Sequence, residues 1–313
     1  MVARANPNPD FTAGKPPRPR RRIPISLRIF VAIVMLVGGS SASFTLMRAH
    51  RQRVAFDKMK EFHASVGMVP HGPKWLRNFI GENWRFVCED VVDVDLAGTQ
   101  ISDDDLSELE KLPFLRSLSL EGAQFITDLG MPHLKRLTTL RRLNLGGTQL
   151  SDAGLCHLKL LVNLNDLDLW GARISDNGLV SVAELTNLEI LALDGTPITD
   201  QGFVHLVGLR KLRVLGLADT HVSGSGIPRL QFLTNLKMID FGGAQVDETG
   251  AANLAALKSL EVLCLHNTRV TDKSLVALAG LTNLERIDVD GTQVTDAGLD
   301  KLKRALPRLK INR

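Results

Sequence analysis

The sequence predicts an α/β solenoid, with a curved parallel sheet on the concave side and helices on the convex side, preceded by one transmembrane helix. Three observations carry this. An L-x-L unit recurs at nearly constant spacing through the last two-thirds of the 313 residues. A nineteen-residue stretch near the N-terminus, residues 29–47, carries no charge. Aromatic residues are only 5% of the chain and tyrosine is absent, although 44% of residues are apolar. Leucine, valine and isoleucine must then fill the core, which suits many small identical packing niches better than an irregular globule.

The chain divides by charge before it divides by structure. The net charge is +4, yet residues 1–28 hold seven Lys/Arg against one Asp, whereas residues 91–313 hold 23 Lys/Arg against 28 Asp/Glu. The basic character belongs to the tail and the body is mildly acidic, which argues against a nucleic-acid-binding face. Residues 1–28, rich in Pro and Arg, have little to bury and are expected to form a disordered tail. Cys88, Cys156 and Cys264 lie far apart, without a CxxC pair, so neither a disulfide framework nor structural zinc is expected.

Residues 29–47 are long enough as a helix, about 28 Å, to cross the hydrocarbon of a bilayer. Arg18, Arg20, Arg21, Arg22 and Arg28 precede the run, which by the positive-inside rule puts the N-terminus in the cytoplasm and the repeats on the exoplasmic or periplasmic side. Arg48, Arg51 and Arg53 oppose that bias. The reading is a signal anchor. The alternative is a cleaved signal peptide releasing a secreted protein, since small residues surround Ser41 and Ser43. Residues 48–72 read as a juxtamembrane spacer. Residues 73–90, with Trp75, Leu76, Phe79, Ile80, Trp84 and Phe86, read as an aromatic cap over the first repeat face.

From residue 91 to 313 the repeat takes over. Aligned on the second apolar residue of L-x-L, the copies fall at Leu96, Leu120, Leu145, Leu169, Leu193, Leu217, Phe241, Leu265 and Val289. Seven of these intervals are 24 residues and one is 25. A shortened tenth copy, Leu306-x-x-Leu309-x-Ile311, follows. The L-x-L alternation predicts a short strand. Gly-Thr pairs such as Gly98-Thr99, Gly147-Thr148, Gly195-Thr196 and Gly291-Thr292 turn the chain away from it. Ser or Thr then stands at a helix N-cap (Ser102, Thr127, Ser151, Ser175, Thr199, Thr271, Thr295), followed by an Asp suited to the positive end of the helix dipole. Leucines three apart, such as Leu155 and Leu158, return the helix to the core. One copy cannot cover its own apolar face; stacked copies can. Three copies deviate. The second has an extra residue near Gln124-Phe125, the sixth has Gly224 for Asp and Pro228 in its helix, and the seventh reads Asp247-Glu248-Thr249-Gly250-Ala251.

The unit G-T-x-I-T-D-x-G-L resembles the leucine-rich-repeat family, in particular its cysteine-containing subtype, with Thr99, Ala123, Thr148 and Ala172 in the cysteine position. Trp75-Leu76-Arg77 and Val94-Asp95-Leu96-Ala97-Gly98-Thr99 are also similar to the opening of membrane-tethered leucine-rich-repeat proteins of planctomycete bacteria. The resemblance covers about residues 73–313. It implies the solenoid fold and a role in binding proteins. The same subtype occurs in substrate receptors of ubiquitin ligases, so an adaptor of that kind is the alternative, although residues 48–90 lack a recognisable F-box segment.

No catalytic constellation stands out. Asp103, Asp128, Asp152, Asp176, Asp200, Asp272 and Asp296 recur with the repeat, so they form a ladder along one edge and read as caps, not metal ligands. The eight histidines occupy different repeat positions, and the glycines are turn residues at fixed period. The expectation is a non-catalytic, membrane-anchored scaffold without cofactor, metal, nucleic acid or small-molecule substrate. Its partner would be a protein held on the concave face. The residues pointing out around each L-x-L are Asp166, Asp168, Trp170, Ile190, Asp194, Val214, Met238, Asp240, Val262, Cys264 and His266, an apolar patch with an acidic surround. Such patches mark interaction sites, and Trp170 is the anchor candidate. Asp93 and Asp95 at one end, and Arg286, Asp288 and Asp290 at the other, extend the strip.

Overall fold

The computed structural model describes residues 39–71, 74, 77, 78 and 82–313. The basic tail, residues 29–38 of the expected membrane helix, and Trp75, Leu76, Phe79 and Ile80 of the expected cap lie outside them. Among the described residues no helix is long and apolar enough to cross a membrane. The chain separates into two units, residues 1–46 and 47–313.

Residues 47–313 are built on one sheet of eleven strands whose spatial order is their chain order. β1 (Ser65–Pro70) runs antiparallel to β2 (Glu89–Asp95), with a register shift between Gly67 and Met68. All later neighbours are parallel: β3 (Ser117–Ser119), β4 (Arg142–Asn144), β5 (Asp166–Asp168), β6 (Ile190–Ala192), β7 (Val214–Gly216), β8 (Met238–Asp240), β9 (Val262–Cys264), β10 (Arg286–Asp288) and β11 (Lys310–Asn312). Every expected L-x-L centre is thus a strand. The aligned second apolar residues, Leu96 to Val289, are all buried.

The period survives in the ladder. Leu167 pairs with Leu191, Leu191 with Leu215 and Leu215 with Ile239, each 24 residues on. The 25-residue step between β3 and β4 is absorbed outside the strands, where Phe125 is left exposed. In the closing copy the pairing sets Ile311 beside Ile287, not beside Val289, so Ile311 stands in the first apolar position of the unit. The convex side is less helical than expected. Several copies cross it with one turn, such as Met131–Leu134 and Gly202–His205, and the longest helix within the repeats is Asp296–Ala305. A unit of 24 residues that must return the chain by one strand spacing leaves room for few helical turns.

Residues 48–71, most of the expected 48–72 spacer, pack onto the first repeat. Helix α1 (Gly39–Glu61) buries Ala49, Gln52, Ala55, Phe56 and Met59. Gln52 donates to Asp90 Oδ1 at 3.1 Å and accepts from Val91 N–H at 3.0 Å, tying the helix to β2. Phe56 meets Phe86 edge-to-face with centroids 5.2 Å apart. The charged appearance of this helix concealed a stripe of small and apolar residues that covers the first repeat, as solenoid ends require.

The aspartate ladder spans repeats and does not serve its own helix alone. Asp152 accepts from Ser175 N–H at 2.8 Å and from Ser175 Oγ–H at 2.5 Å, one repeat later. Asp128 does the same for Ser151, Asp176 for Thr199 and Asp272 for Thr295. The glycine of D-x-G-L is explained by the same contact. A Cβ on Gly154, Gly178 or Gly202 would overlap the carboxylate of Asp128, Asp152 or Asp176. The threonine after the turn is buried at Thr148, Thr196, Thr220 and Thr268 and donates its hydroxyl to the carbonyl three residues earlier, as Thr148 does to Leu145 at 2.7 Å.

Candidate concave recognition face

The pleat turns alternate residues of each strand away from the core, and stacking then aligns equivalent residues of successive repeats into rows. The first row runs Asp93, Ser117, Arg142, Asp166, Ile190, Val214, Met238, Val262, Arg286, Lys310. The second runs Asp95, Ser119, Asn144, Asp168, Ala192, Gly216, Asp240, Cys264, Asp288, Asn312 through the same pairings. The third lies just beyond the strands and includes Gly146, Trp170, Asp194, Ala218, Gly242 and His266. Backbone bonds from Gly147 to Trp170, Gly171 to Asp194, Gly195 to Ala218 and Gly243 to His266 hold it in line.

All eleven residues singled out on this face reach the surface. Trp170 is 41% exposed and Ile190 is 39% exposed; the others are half-buried. Ile190, Val214, Met238 and Val262 are neighbours in one row, an apolar band across four adjacent strands. Asp166 flanks that band, while Asp168 and Asp240 stand in the second row and Asp194 in the third.

The bulky residues of the third row rest on missing side chains. A Cβ on Gly146 would overlap the Trp170 ring, one on Gly242 the His266 ring, and one on Gly216 the Asp194 carboxylate. Trp170 therefore packs its ring against Gly146 and Gly147 of the preceding repeat and still presents apolar surface to solvent. The sequence signal was available: Gly146-Gly147 and Gly242-Gly243 double the glycine one repeat ahead of Trp170 and His266. Glu121 and Asp219, which the pleat alone does not single out, extend the carboxylate population. Asp219 holds φ at +54°, where most repeats have glycine.

The electrostatics are lopsided. Burial raises the Asp168 carboxyl, the Trp170 N–H opposes that, and the charges of Asp194, Glu121 and Asp166 raise it further. Asp194 is raised by burial and by Asp240 and Asp219, against the N–H of Ala218. Asp166 is raised by burial and eased by Arg142. Burial, with Asp240 and Asp288, pushes the Cys264 thiol up to about 11, so at neutral pH it is no thiolate nucleophile. Beside it, Met238, Val262, Arg286, Asp288 and Lys310 line an open depression of about 340 Å³. Among the described residues no group of His, Cys, Asp and Glu is placed to hold a metal ion.

The family model of the leucine-rich repeat region matches residues 126–313. Among solved structures, internalin C2 of Listeria monocytogenes is 27% identical, with a TM-score of 0.49 over 68% of this chain and 84% of that one. A leucine-rich-repeat protein of Leptospira interrogans is 20% identical, with a TM-score of 0.47 over 66% of this chain and 62% of that one. The ectodomain of the Arabidopsis thaliana receptor kinase GASSHO1/SCHENGEN3 is 21% identical, with a TM-score of 0.50, and covers 71% of this chain. This chain spans 26% of that ectodomain's length, and the likeness is one of fold. No curated protein matches by sequence.

Proposed function

The chain belongs to the leucine-rich-repeat family, and from that premise we propose that it is a non-catalytic recognition module, tethered to a membrane, that holds a protein partner on its concave face. The observation that carries the reading is the apolar band Ile190–Val214–Met238–Val262 of the first row, with the exposed Trp170 in the third row of the same face. A contiguous exposed apolar strip on a rigid sheet, with an aromatic anchor at its margin, has the composition of a protein-binding patch. Family membership points the same way, since leucine-rich repeats mediate protein–protein interaction.

The tether rests on the uncharged run of residues 29–47. Its final part, from Gly39, is helical, and Phe44, Leu46 and Met47 are exposed. The arginines before it support a cytoplasmic N-terminus with the repeats outside. In the adaptor alternative, residues 48–71 would have to engage a ligase component, but one face of that segment is already committed to covering the first repeat.

A photoreactive amino acid placed at Ala192, on the concave floor, and separately at Val276, an exposed convex position, tests the site in the source cells. A protein adduct at 192 and none at 276 is expected. Adducts only at 276 would move the site to the convex side. Protease digestion of intact cells or spheroplasts tests topology; repeats shielded from external protease would sink the proposed orientation.

A further inference from the structure

The face has a second chemical property besides its apolar band. From the second row to the turn that follows it, repeats one to nine carry Asp95, Glu121, Asp168, Asp194, Asp219, Asp240, Asp288 and Asp290, and not one Lys or Arg. None of these eight forms an ion pair with Lys, Arg or His among the described residues. Acids elsewhere do: Glu189 lies 3.9 Å from Arg213, Glu261 lies 2.7 Å from Lys237, and Asp93 lies 3.7 Å from Arg142. On repeats four to seven the carboxylates come one per repeat, as Asp168, Asp194, Asp219 and Asp240, alongside the apolar band of repeats five to eight. The cations of the first row, Arg142, Arg286 and Lys310, stand beyond both ends of that band.

We propose that the occupant of the concave face is an extended polypeptide segment in which basic and apolar residues alternate. It lies across the strands with its apolar side chains on Ile190, Val214, Met238 and Val262 and its basic ones on the opposing carboxylates. The proposal rests on the recognition reading above and adds the partner's chemistry. Alternation follows from two unlike rows facing one chain, because an extended segment sends successive side chains to opposite sides. The carboxylate of Asp194 leans over Gly216 and so stands with Asp168 and Asp240 in the second row, where Ala192 leaves a low floor that a helix would reach only through its own side chains. Strands lie about 4.8 Å apart and same-side residues of an extended chain about 6.7 Å apart, so roughly three side chains fit each row. Asp168 and Asp194 are partly desolvated and repel their acidic neighbours, a cost that an incoming ammonium or guanidinium relieves.

The test uses the full-length chain in mild detergent and three labelled synthetic peptides of about eight residues: alternating Arg–Val, alternating Glu–Val, and a block of Arg followed by a block of Val. Fluorescence anisotropy is expected to give the alternating Arg–Val peptide an affinity at least tenfold above both others. That affinity should fall as salt rises. Asp194→Asn/Asp240→Asn should reduce it about tenfold, with folding checked by circular dichroism. Equal binding of Arg–Val and Glu–Val, both lost in Trp170→Ala/Met238→Asp, would overturn the charge proposal and leave the recognition face standing. Arg–Val binding untouched by either variant would overturn both. Equal binding of the alternating and block peptides would overturn the extended geometry.

Discussion

At the scale of single residues, the repeat motif proves to be a contract between neighbours. Asp at one repeat and Gly two positions past the corresponding site in the next are required together, because the carboxylate occupies the space a Cβ would take. Of the two exceptions, one has Gly224 for Asp while Gly250 is kept by its contact with Ser223 O, and the other obeys the rule. Glu248 stands where Asp is usual, and one repeat on Ser274 replaces the glycine, is buried, and accepts from Thr271 N–H at 3.1 Å. In a double-mutant cycle, Glu248→Asp and Ser274→Gly are each expected to gain nothing or to destabilise, since one crowds Ser274 and the other loses its hydrogen bond. Combined, they should restore the clamp with a favourable coupling of about 1 kcal/mol in urea denaturation; additive effects would refute the pairing. Protonation supplies a second check. The folded state raises Asp168 and Asp194, so it holds those protons to higher pH than the unfolded chain does. Their contribution therefore worsens as pH climbs from the ordinary carboxylate value through the raised one, and stays unfavourable at neutrality. Asp168→Asn/Asp194→Asn should raise the urea midpoint at about pH 7, with the gain vanishing near about pH 3. Asp200 has the opposite sign. Burial alone would raise it, but bonds from Gly226, Ser223 and Gly224 outweigh that and lower it, so its support is lost on acidification.

At the scale of elements, strands and turns were legible because each is written in local chemistry. L-x-L alternates, and the turn residue three past the strand must tolerate a positive φ, which Gly147 and Gly195 do at +66°. The cap was not legible as such. Its helix α1 reads as a charged segment, and only contact with β2 reveals that Gln52, Phe56 and Met59 are interior. Met59→Ala should cost about 2–5 kcal/mol by cavity formation, and Gln52→Ala about 1–3 kcal/mol by stranding the Val91 N–H. Denaturant titration of each measures this; changes within error would return residues 48–71 to the status of a spacer. The candidate face divides in the same way. Its residues could be named from the pleat alone, whereas the seating of Trp170 on Gly146 and of His266 on Gly242 depends on the lateral offset between repeats.

At the scale of the whole array, stability is approximately a sum of repeat and interface terms. The aspartate clamp joins the early repeats without a break from Asp103 to Asp200. It is missing where Gly224 and Glu248 replace Asp, and there Asn253 bridges to Gly224 O at 3.1 Å. Repeats seven to nine should therefore open at lower free energy than repeats two to five. Native-state hydrogen exchange at Leu265 and Val289 against Leu145 and Leu169 reads the difference. Uniform protection along the array would show that the clamp contributes nothing to cooperativity.

The sequence by itself determined the solenoid, the number of its turns, the inward leucines and the outward rows, because a fixed period makes each copy's environment a copy of the last. Tertiary structure alone decided which carboxylates are paired, what caps the first repeat and where Trp170 comes to rest. Those outcomes depend on contacts between residues 23 or more positions apart, which one strand's alternation or one turn's glycine does not encode.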